Sequence, residues 1–114
     1  MVNGMGIAWL DPWWPTDGKG AAFHATFLAQ LARELSPDHP LYGLPVRLIA
    51  RGLGDDALFA LDDGTGRVAV VHLTWSSQPQ RLPWPATQIF ADLDAFVHEC
   101  MQPDHAAWLG DDEE

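Results

Sequence analysis

The sequence contains one cysteine, Cys100, so a disulfide within the chain and a zinc site built from several cysteines are both excluded. It has no run of the ~20 apolar residues that a membrane-spanning helix needs. The opening residues, MVNGMGIAWLDPWW, lack the basic start and the apolar run of a secretion signal. We therefore expect a protein of a reducing compartment, which we predict to be cytoplasmic.

Basic residues are also few. Six lysines and arginines stand against sixteen acidic residues, which gives a formal net charge of -10. This charge repels the phosphates of nucleic acids and an anionic membrane surface, so we expect neither as a partner. It would attract a basic protein, although the same acidity would also serve simply to keep a small domain in solution.

Catalytic and metal-binding signatures are missing as well. The five histidines include no pair four positions apart, the spacing that places two imidazoles on one helical face, so we predict no metal and no cofactor. Cys100 lies next to Glu99 near the end of a predicted helix, and both features disfavour the thiolate that a nucleophile requires. Ser76 and Ser77 have no nucleophile-elbow context. The sequence favours a protein that is not an enzyme, without excluding one.

The segment RVAVVHLTW, residues 67–75, predicts the central strand of the fold, because β-branched and aromatic residues suit a strand. Alternation along the strand separates its side chains into two sets. One face carries Val68, Val70, His72 and Thr74, and the other carries Ala69, Val71, Leu73 and Trp75. Both sets are mostly apolar, so we expect the sheet to be covered on both sides.

Helices are predicted before and after this strand. Apolar residues recur at helical spacing from Phe23 to Leu35, and Pro37 ends this first helix. Asp92 fits the N-cap of a second helix, which Pro103 is expected to close.

Further short strands are predicted at residues 46–51 and 57–61, with a brief edge strand at Ile89 and Phe90. The connections are short and include the hairpin signal DDGTG, so the strands should form an antiparallel meander in sequence order. We predict an α+β fold, with a three- to four-stranded antiparallel meander sheet. An N-terminal and a C-terminal helix are expected to pack on one face of it, the face of Val71, Leu73 and Trp75.

The length is that of one domain. We assign residues 1–19 to an arm rich in tryptophan, proline and glycine, residues 20–104 to the α+β domain, and residues 105–114 to an acidic tail. The arm or a second subunit would cover Val68 and Val70 on the other face of the sheet. A homodimer through that face is therefore one expectation.

Four tryptophans are candidate binding residues. Trp13 and Trp14 lie in the arm, Trp84 lies between two prolines, and Trp75 ends the central strand. Tryptophans next to prolines have little conformational freedom to lose on binding, which suits recognition. The same residues could instead cover a small core.

His72 is the candidate histidine. Its position on the central strand suggests a partly buried imidazole whose two ring nitrogens are hydrogen-bonded in the core. The alternative is a general base beside Asp55, Asp56 or Glu99.

Five segments between residues 34 and 104 form a recognisable pattern: HPLYGLPVRLIAR, the acidic turn before ALFAL, VAVVHLTW, PWPAT, and the M-x-x-D from Met101 to Asp104. The chain thereby resembles a family of small bacterial proteins of uncharacterised function that share an HPL-x-G, VVHLTW and PWP-x-T pattern. Residues 1–20 lie outside the resemblance. It implies no particular activity and no site residues.

For function, we expect a non-enzymatic protein-interaction module that uses its acidic surface and exposed aromatic residues against a basic protein partner. An immunity or antitoxin-like inhibitor of a basic toxin is one concrete form. The alternative is a small hydrolase or ligand-binding enzyme with a site around His72 and the Trp84 loop. A structural subunit of a larger assembly is a third interpretation.

Overall fold

The computed structural model describes residues 7–110. The strands of this part of the chain are β1 (Trp14–Pro15), β2 (Val46–Arg51), β3 (Asp56–Leu61), β4 (Val68–His72) and β5 (Ala86–Phe90). The helices are α1 (Ala21–Glu34), α2 (Leu93–Phe96) and α3 (Gln102–Gly110), and a π-helical turn, Val97–Met101, joins the last two. The strands form one antiparallel sheet in sequence order. The predicted α+β class and the antiparallel meander are confirmed.

The described sheet has five strands, whereas three or four were predicted. The additional strand is β1, in which Trp14 pairs with Arg51 and Pro15 with Ala50 at the edge of the sheet. A two-residue strand is too short to show an alternating pattern, and its proline is tolerated because the strand lies at an edge. The arm therefore takes part in the sheet instead of only lying across it.

The two faces of the sheet are covered by different helices, so the prediction that both helices pack on one face is wrong. The first face packs on α1, and its core includes Phe27, Leu31, Leu48, Phe59, Val71 and Leu73. The second face packs on α2, the π-helical turn and the arm, and its core includes Trp13, Ile49, Leu58, Val68, Phe90, Phe96 and Met101. The second face is as apolar as the first. If α2 packed on the first face together with α1, the second face would be exposed to water.

The chain itself covers much of the surface on which the homodimer expectation was based, and the homodimer stays a prediction. Val68 is buried there by residues of the same chain, among them Trp13 and Phe96. The expectation that the arm covers this face agrees with the position of Trp13.

A β-bulge in β2 changes which side chains reach each face. Leu48 pairs with Phe59 and Ala50 with Leu58, so Ile49 is the extra residue. Ile49 and Ala50 both belong to the core of the second face, and Arg51 turns to the first face, where its guanidinium carbon lies 4.5 Å from the centre of the Phe27 ring. The side chains of β2 therefore do not alternate simply between the two faces as far as residue 51.

The helix boundaries follow the capping signals except at Pro103. Helix α1 ends at Glu34, shortly before Pro37, and the side chain of Asp92 accepts the N–H of Ala95 as the predicted N-cap. Pro103 does not close the last helix: it is the second residue of α3, which continues directly from the π-helical turn. Helix α3 continues to Gly110, and residues 111–114 of the predicted acidic tail lie outside the described residues.

Within residues 7–110, no helix combines the length and the apolar character needed to cross a membrane.

Candidate functional site

One end of the sheet gathers the turn between β2 and β3, the end of β4 and the start of β5. The antiparallel register fixes this arrangement, because Asp56 pairs with His72 and His72 pairs with Ala86. The segment after β4 and the loop before β5 therefore emerge at the same end as the acidic turn. We call this the tryptophan end, and it comprises Leu53, Asp55, Asp56, His72, Trp75, Trp84, Asp104 and Trp108.

Three tryptophans of the tryptophan end are well exposed. Trp75 is 43% exposed, Trp84 48% and Trp108 41%. Trp75 and Trp84 are two of the four predicted binding tryptophans. Trp108 was not among them, because the sequence predicts that the last helix closes before it.

The two tryptophans of the arm have different surroundings. Trp13 is 1% exposed; its ring meets Phe96 edge to face at 5.0 Å, and its indole N–H donates to Asp104 at 2.9 Å. Trp14 is half-buried and packs against Phe23, with the ammonium of Lys19 5.6 Å from its ring centre. Trp13 is therefore a core residue, and we leave it out of the proposed binding surface.

His72 forms a pair with Asp56 across β3 and β4. Its Nδ1 lies 2.7 Å from Oδ1 of Asp56, and 55% of the His72 side chain is exposed. The interpretation of His72 as a buried core histidine is wrong. His72 is the last residue of β4 and lies beyond the core of the second face. The structure thus selects Asp56 from the three predicted carboxylate neighbours.

The buried histidine of the fold is instead His39, in the link between α1 and β2. Its Nδ1 accepts the N–H of Leu41 at 3.1 Å, which leaves the hydrogen on Nε2 to be donated to the carbonyl of Pro85 at 3.2 Å. These bonds tie the link to the start of β5. No sequence pattern singles out His39, since its partner Pro85 lies 46 positions away along the chain.

A cleft of about 220 Å³ opens between the acidic turn and α3. Its lining combines apolar and acidic side chains: Pro12, Leu53, Asp56, Asp104, Ala107 and Trp108. The carboxylate of Asp104 is held in place by the indole of Trp13, so it does not swing freely. The sequence could not indicate this cleft, because it depends on how α3 lies against a turn about fifty positions earlier.

Cys100 borders this region without being a nucleophile. Burial, followed by the negative charge of Asp104, raises the pKa of its thiol to about 12. Its Sγ lies 3.5 Å from Oδ2 of Asp104, to which the thiol donates. The thiol is therefore protonated at neutral pH, as the structural interpretation of Cys100 requires.

Trp75 is held from behind by a buried carboxylate. Glu34, at the end of α1, accepts the N–H of Trp75 at 2.7 Å and both the N–H and the hydroxyl of Thr74 at 2.9 Å. The indole N–H of Trp75 donates to Asp55 at 3.1 Å, and its ring meets Phe27 edge to face at 5.4 Å. Sequence reasoning missed Glu34, which reads as an ordinary polar position at a helix end.

Arg51 stabilises the acidic turn through hydrogen bonds to its backbone carbonyls. Its Nε donates to the carbonyl of Asp56 at 3.1 Å and its Nη2 to the carbonyl of Gly54 at 2.7 Å. Burial lowers the pKa of Arg51, and the charges of Asp55 and Asp56 oppose this effect. The arginine remains charged at neutral pH, so it fixes the turn that carries both aspartates.

Across residues 7–110, no group of three or more histidine, cysteine, aspartate or glutamate side chains could hold a metal ion.

Comparison with family models, with curated proteins and with solved structures finds no match to this chain. The resemblance to a family of small bacterial proteins therefore stays a prediction.

Proposed function

We propose that this chain is a non-enzymatic interaction protein that binds a basic segment of a partner protein at its tryptophan end. The observation that supports this most is the position of the three exposed tryptophans, which share one end of the sheet with Asp55, Asp56 and Asp104. Large exposed aromatic surface is unfavourable in water and is typical of interaction sites. Carboxylates beside it select a cationic partner.

The cleft suits one lysine or arginine side chain of that partner. Leu53 and Trp108 would contact the aliphatic stem, while Asp56 and Asp104 would meet the charged group. The net charge of -10 would speed the encounter with a basic protein by long-range attraction. It also disfavours a second copy of this acidic chain as the occupant.

A cytoplasmic inhibitor of a basic toxin, similar in role to an immunity protein or an antitoxin, is the concrete form that we propose. The size, the acidity and the aromatic surface all support it. A gene for a basic effector next to the gene for this chain would strengthen it, and a neighbourhood without such a gene would favour a subunit of a larger assembly.

The test compares two pairs of neighbouring aspartates at opposite ends of the sheet. A fluorescently labelled oligo-arginine peptide is titrated with the wild type, with Asp55→Asn/Asp56→Asn and with Asp62→Asn/Asp63→Asn. We expect the first double variant to bind at least about tenfold more weakly, since charged contacts contribute ~1.4 kcal/mol or more. The second pair lies in the turn between β3 and β4, so its loss should matter much less.

Equal weakening by both pairs would show that only the overall charge attracts the peptide. That result would contradict a binding site at the tryptophan end. Circular dichroism of both variants controls for folding.

A second candidate function rests on the Asp56–His72 pair. Asp56 holds Nδ1 of His72, while Nε2 makes no hydrogen bond to any residue in the range 7–110. A carboxylate that orients an imidazole in this way is the arrangement of a general base, which could activate a water molecule in a small hydrolase or ligand-binding enzyme. Hydrolysis of simple esters by the wild type but not by His72→Gln would establish this function, and no turnover by either would exclude it for such substrates.

A further inference from the structure

Trp75 has an unusual backbone conformation for so large a residue. Its φ is 59°, and it is the one non-glycine residue between positions 7 and 110 with a positive φ. A Cβ atom clashes with the backbone in this left-handed region, which glycine adopts freely. A glycine at position 75 would therefore relieve the strain, and yet the sequence has its bulkiest residue there.

The strain is offset by a dedicated set of hydrogen bonds. Glu34 is fully buried, and its carboxylate accepts from four donors: the N–H and the hydroxyl of Thr74, the N–H of Trp75 and the side-chain amide of Gln30. A buried charge is tolerated only when it is hydrogen-bonded in this way. The carbonyl of Glu34 also accepts the N–H of Gln80, and thus the end of α1 fixes the whole segment after β4.

The result of this arrangement is a fixed aromatic ring at the surface. Phe27 supports the ring of Trp75 from one side, and Asp55 holds its indole N–H. Trp75 is nevertheless 43% exposed, and the carboxylate of Asp55 lies directly beside its ring. An aromatic ring next to a carboxylate suits a cation, which is attracted by both groups.

We propose that Glu34 is a positioning residue that holds Trp75 in the left-handed conformation so that its ring, beside Asp55, receives a lysine or arginine side chain of the partner. This inference rests on the proposed function, because it assigns one part of the basic partner to one ring. A ring fixed before binding loses little conformational entropy when the partner arrives, which gives the strained conformation a purpose.

The first experiment separates stability from binding. In Trp75→Gly the relief of strain offsets the lost contacts of the ring with Phe27 and Asp55, so we expect a thermal midpoint close to that of the wild type, while the affinity for the oligo-arginine peptide falls at least tenfold. Tyr42→Ala is the matched control, because it also removes an exposed aromatic ring but lies in the link between α1 and β2. It should leave peptide binding unchanged.

The second experiment tests Glu34 itself with a nearly isosteric variant, Glu34→Gln. Protein labelled with 5-fluorotryptophan gives a fluorine NMR signal for each tryptophan, and the signal of Trp75 is the one missing from Trp75→Gly. We expect Glu34→Gln to remain folded, to shift or broaden the Trp75 signal selectively, and to weaken peptide binding. In the wild type, the Trp75 signal should move when the peptide binds.

The outcomes separate the two proposals. If the wild type does not bind the peptide, both proposals are overturned. If the wild type binds and Trp75→Gly binds equally well, only the role of Trp75 and Glu34 is overturned. A large loss of thermal stability in Trp75→Gly would show that the ring is retained for packing, and a Glu34→Gln variant with normal binding would remove Glu34 from the mechanism.

Discussion

Gly52 leaves the space in which the ring of Trp13 lies. A Cβ atom at this position would be 2.9 Å from Cη2 and from Cζ2 of Trp13. The ring cannot easily retreat, because Phe96 packs against it and its N–H is bonded to Asp104. One missing side chain in the turn thus permits the arm to seal the second face of the sheet.

Gly52→Ala should therefore destabilise the protein. We expect a loss of ~1–3 kcal/mol in the free energy of unfolding, the usual range for overpacking a core, measured by urea denaturation. Gly18→Ala is the control, since a Cβ atom there meets nothing within 4 Å and should change stability by less than ~0.5 kcal/mol. Equal urea midpoints for both variants would contradict the close packing.

Cys100 should be unreactive in the folded protein. Burial and Asp104 raise the pKa of the thiol to about 12 from a usual value of 9.0, so alkylation by iodoacetamide at pH 8 should be far slower in the native protein than in urea. The folded pKa is the higher one, so the contribution of this thiol to stability is complete below pH 9 and is lost as the pH rises towards 12. Rapid labelling of the native protein, followed by mass spectrometry, would contradict this expectation.

Elements with a strong internal pattern could be predicted from the sequence. Helix α1 has apolar residues at regular helical spacing, strands β2 and β4 contain β-branched residues, and strands β2 to β4 are separated by glycine-containing turns. Asp92 marked the start of α2 by its type and position. These local signals are sufficient for the class of the fold and the order of its strands.

Elements that depend on tertiary contacts could not be predicted. The bulge at Ile49, the short strand β1 and the continuation of α3 past Pro103 leave no periodic trace. The residues of the candidate site also fall into a group that the sequence indicated and a group that it did not. Trp75 and Trp84 were candidates by their types and neighbours, but the sequence left open whether they lie at the surface or in the core, whereas Glu34 and Asp104 gain their roles from partners more than 35 positions away.

The π-helical turn sets the rotation of α3. It contains one residue more than an α-helical path would need, and the N–H of Gln102 bonds to the carbonyl of Val97. The position of Asp104 opposite Trp13, and of Trp108 on the cleft, follows from this rotation. The π-helical turn therefore determines which side chains of α3 lie at the tryptophan end.

Deletion of His98 removes the additional residue, so an α-helical path should then lead to α3 in close to its present orientation. We expect this variant to keep the hydrogen bond between Trp13 and Asp104, to keep peptide binding, and to unfold at a urea concentration close to that of His98→Ala. His98→Ala is the control, because it keeps the residue count and removes only an exposed side chain. A deletion variant that is less stable than this control by ~1.5–3 kcal/mol, the cost of losing a hydrogen bond to a charged acceptor, would contradict this account of the turn.

The whole molecule carries a large excess of negative charge. A formal charge of -10 on a small domain produces repulsion between its own side chains, which opposes the folded state. Within residues 7–110 the chain itself covers both faces of the sheet, so the exposed apolar surface that remains lies mainly in loops and in α3. The negative charge and the covered sheet faces both favour a basic partner protein over a second copy of this chain.

Added salt should therefore stabilise the protein while weakening its binding to basic peptides. Raising sodium chloride to ~0.1 M shortens the screening length to ~10 Å, so repulsion within the fold and attraction to the peptide both decrease. We expect a higher urea midpoint, a weaker affinity for oligo-arginine, and a monomeric mass by light scattering at either salt concentration. A urea midpoint that falls with salt would show that attractive ion pairs outweigh the repulsion.

The core of the second face joins residues that are far apart in the sequence, so during synthesis it forms late. Trp13 and Asp104 are separated by 91 positions, and Asp11 and His105 by 94. A chain leaving the ribosome can assemble α1 on strands β2 to β4 early, but its other apolar face stays open until α2 and the π-helical turn emerge. A polypeptide that ends before residue 93 would thus leave the second apolar face of the sheet exposed to water. We expect premature termination to produce insoluble protein and not a soluble protein of lower stability.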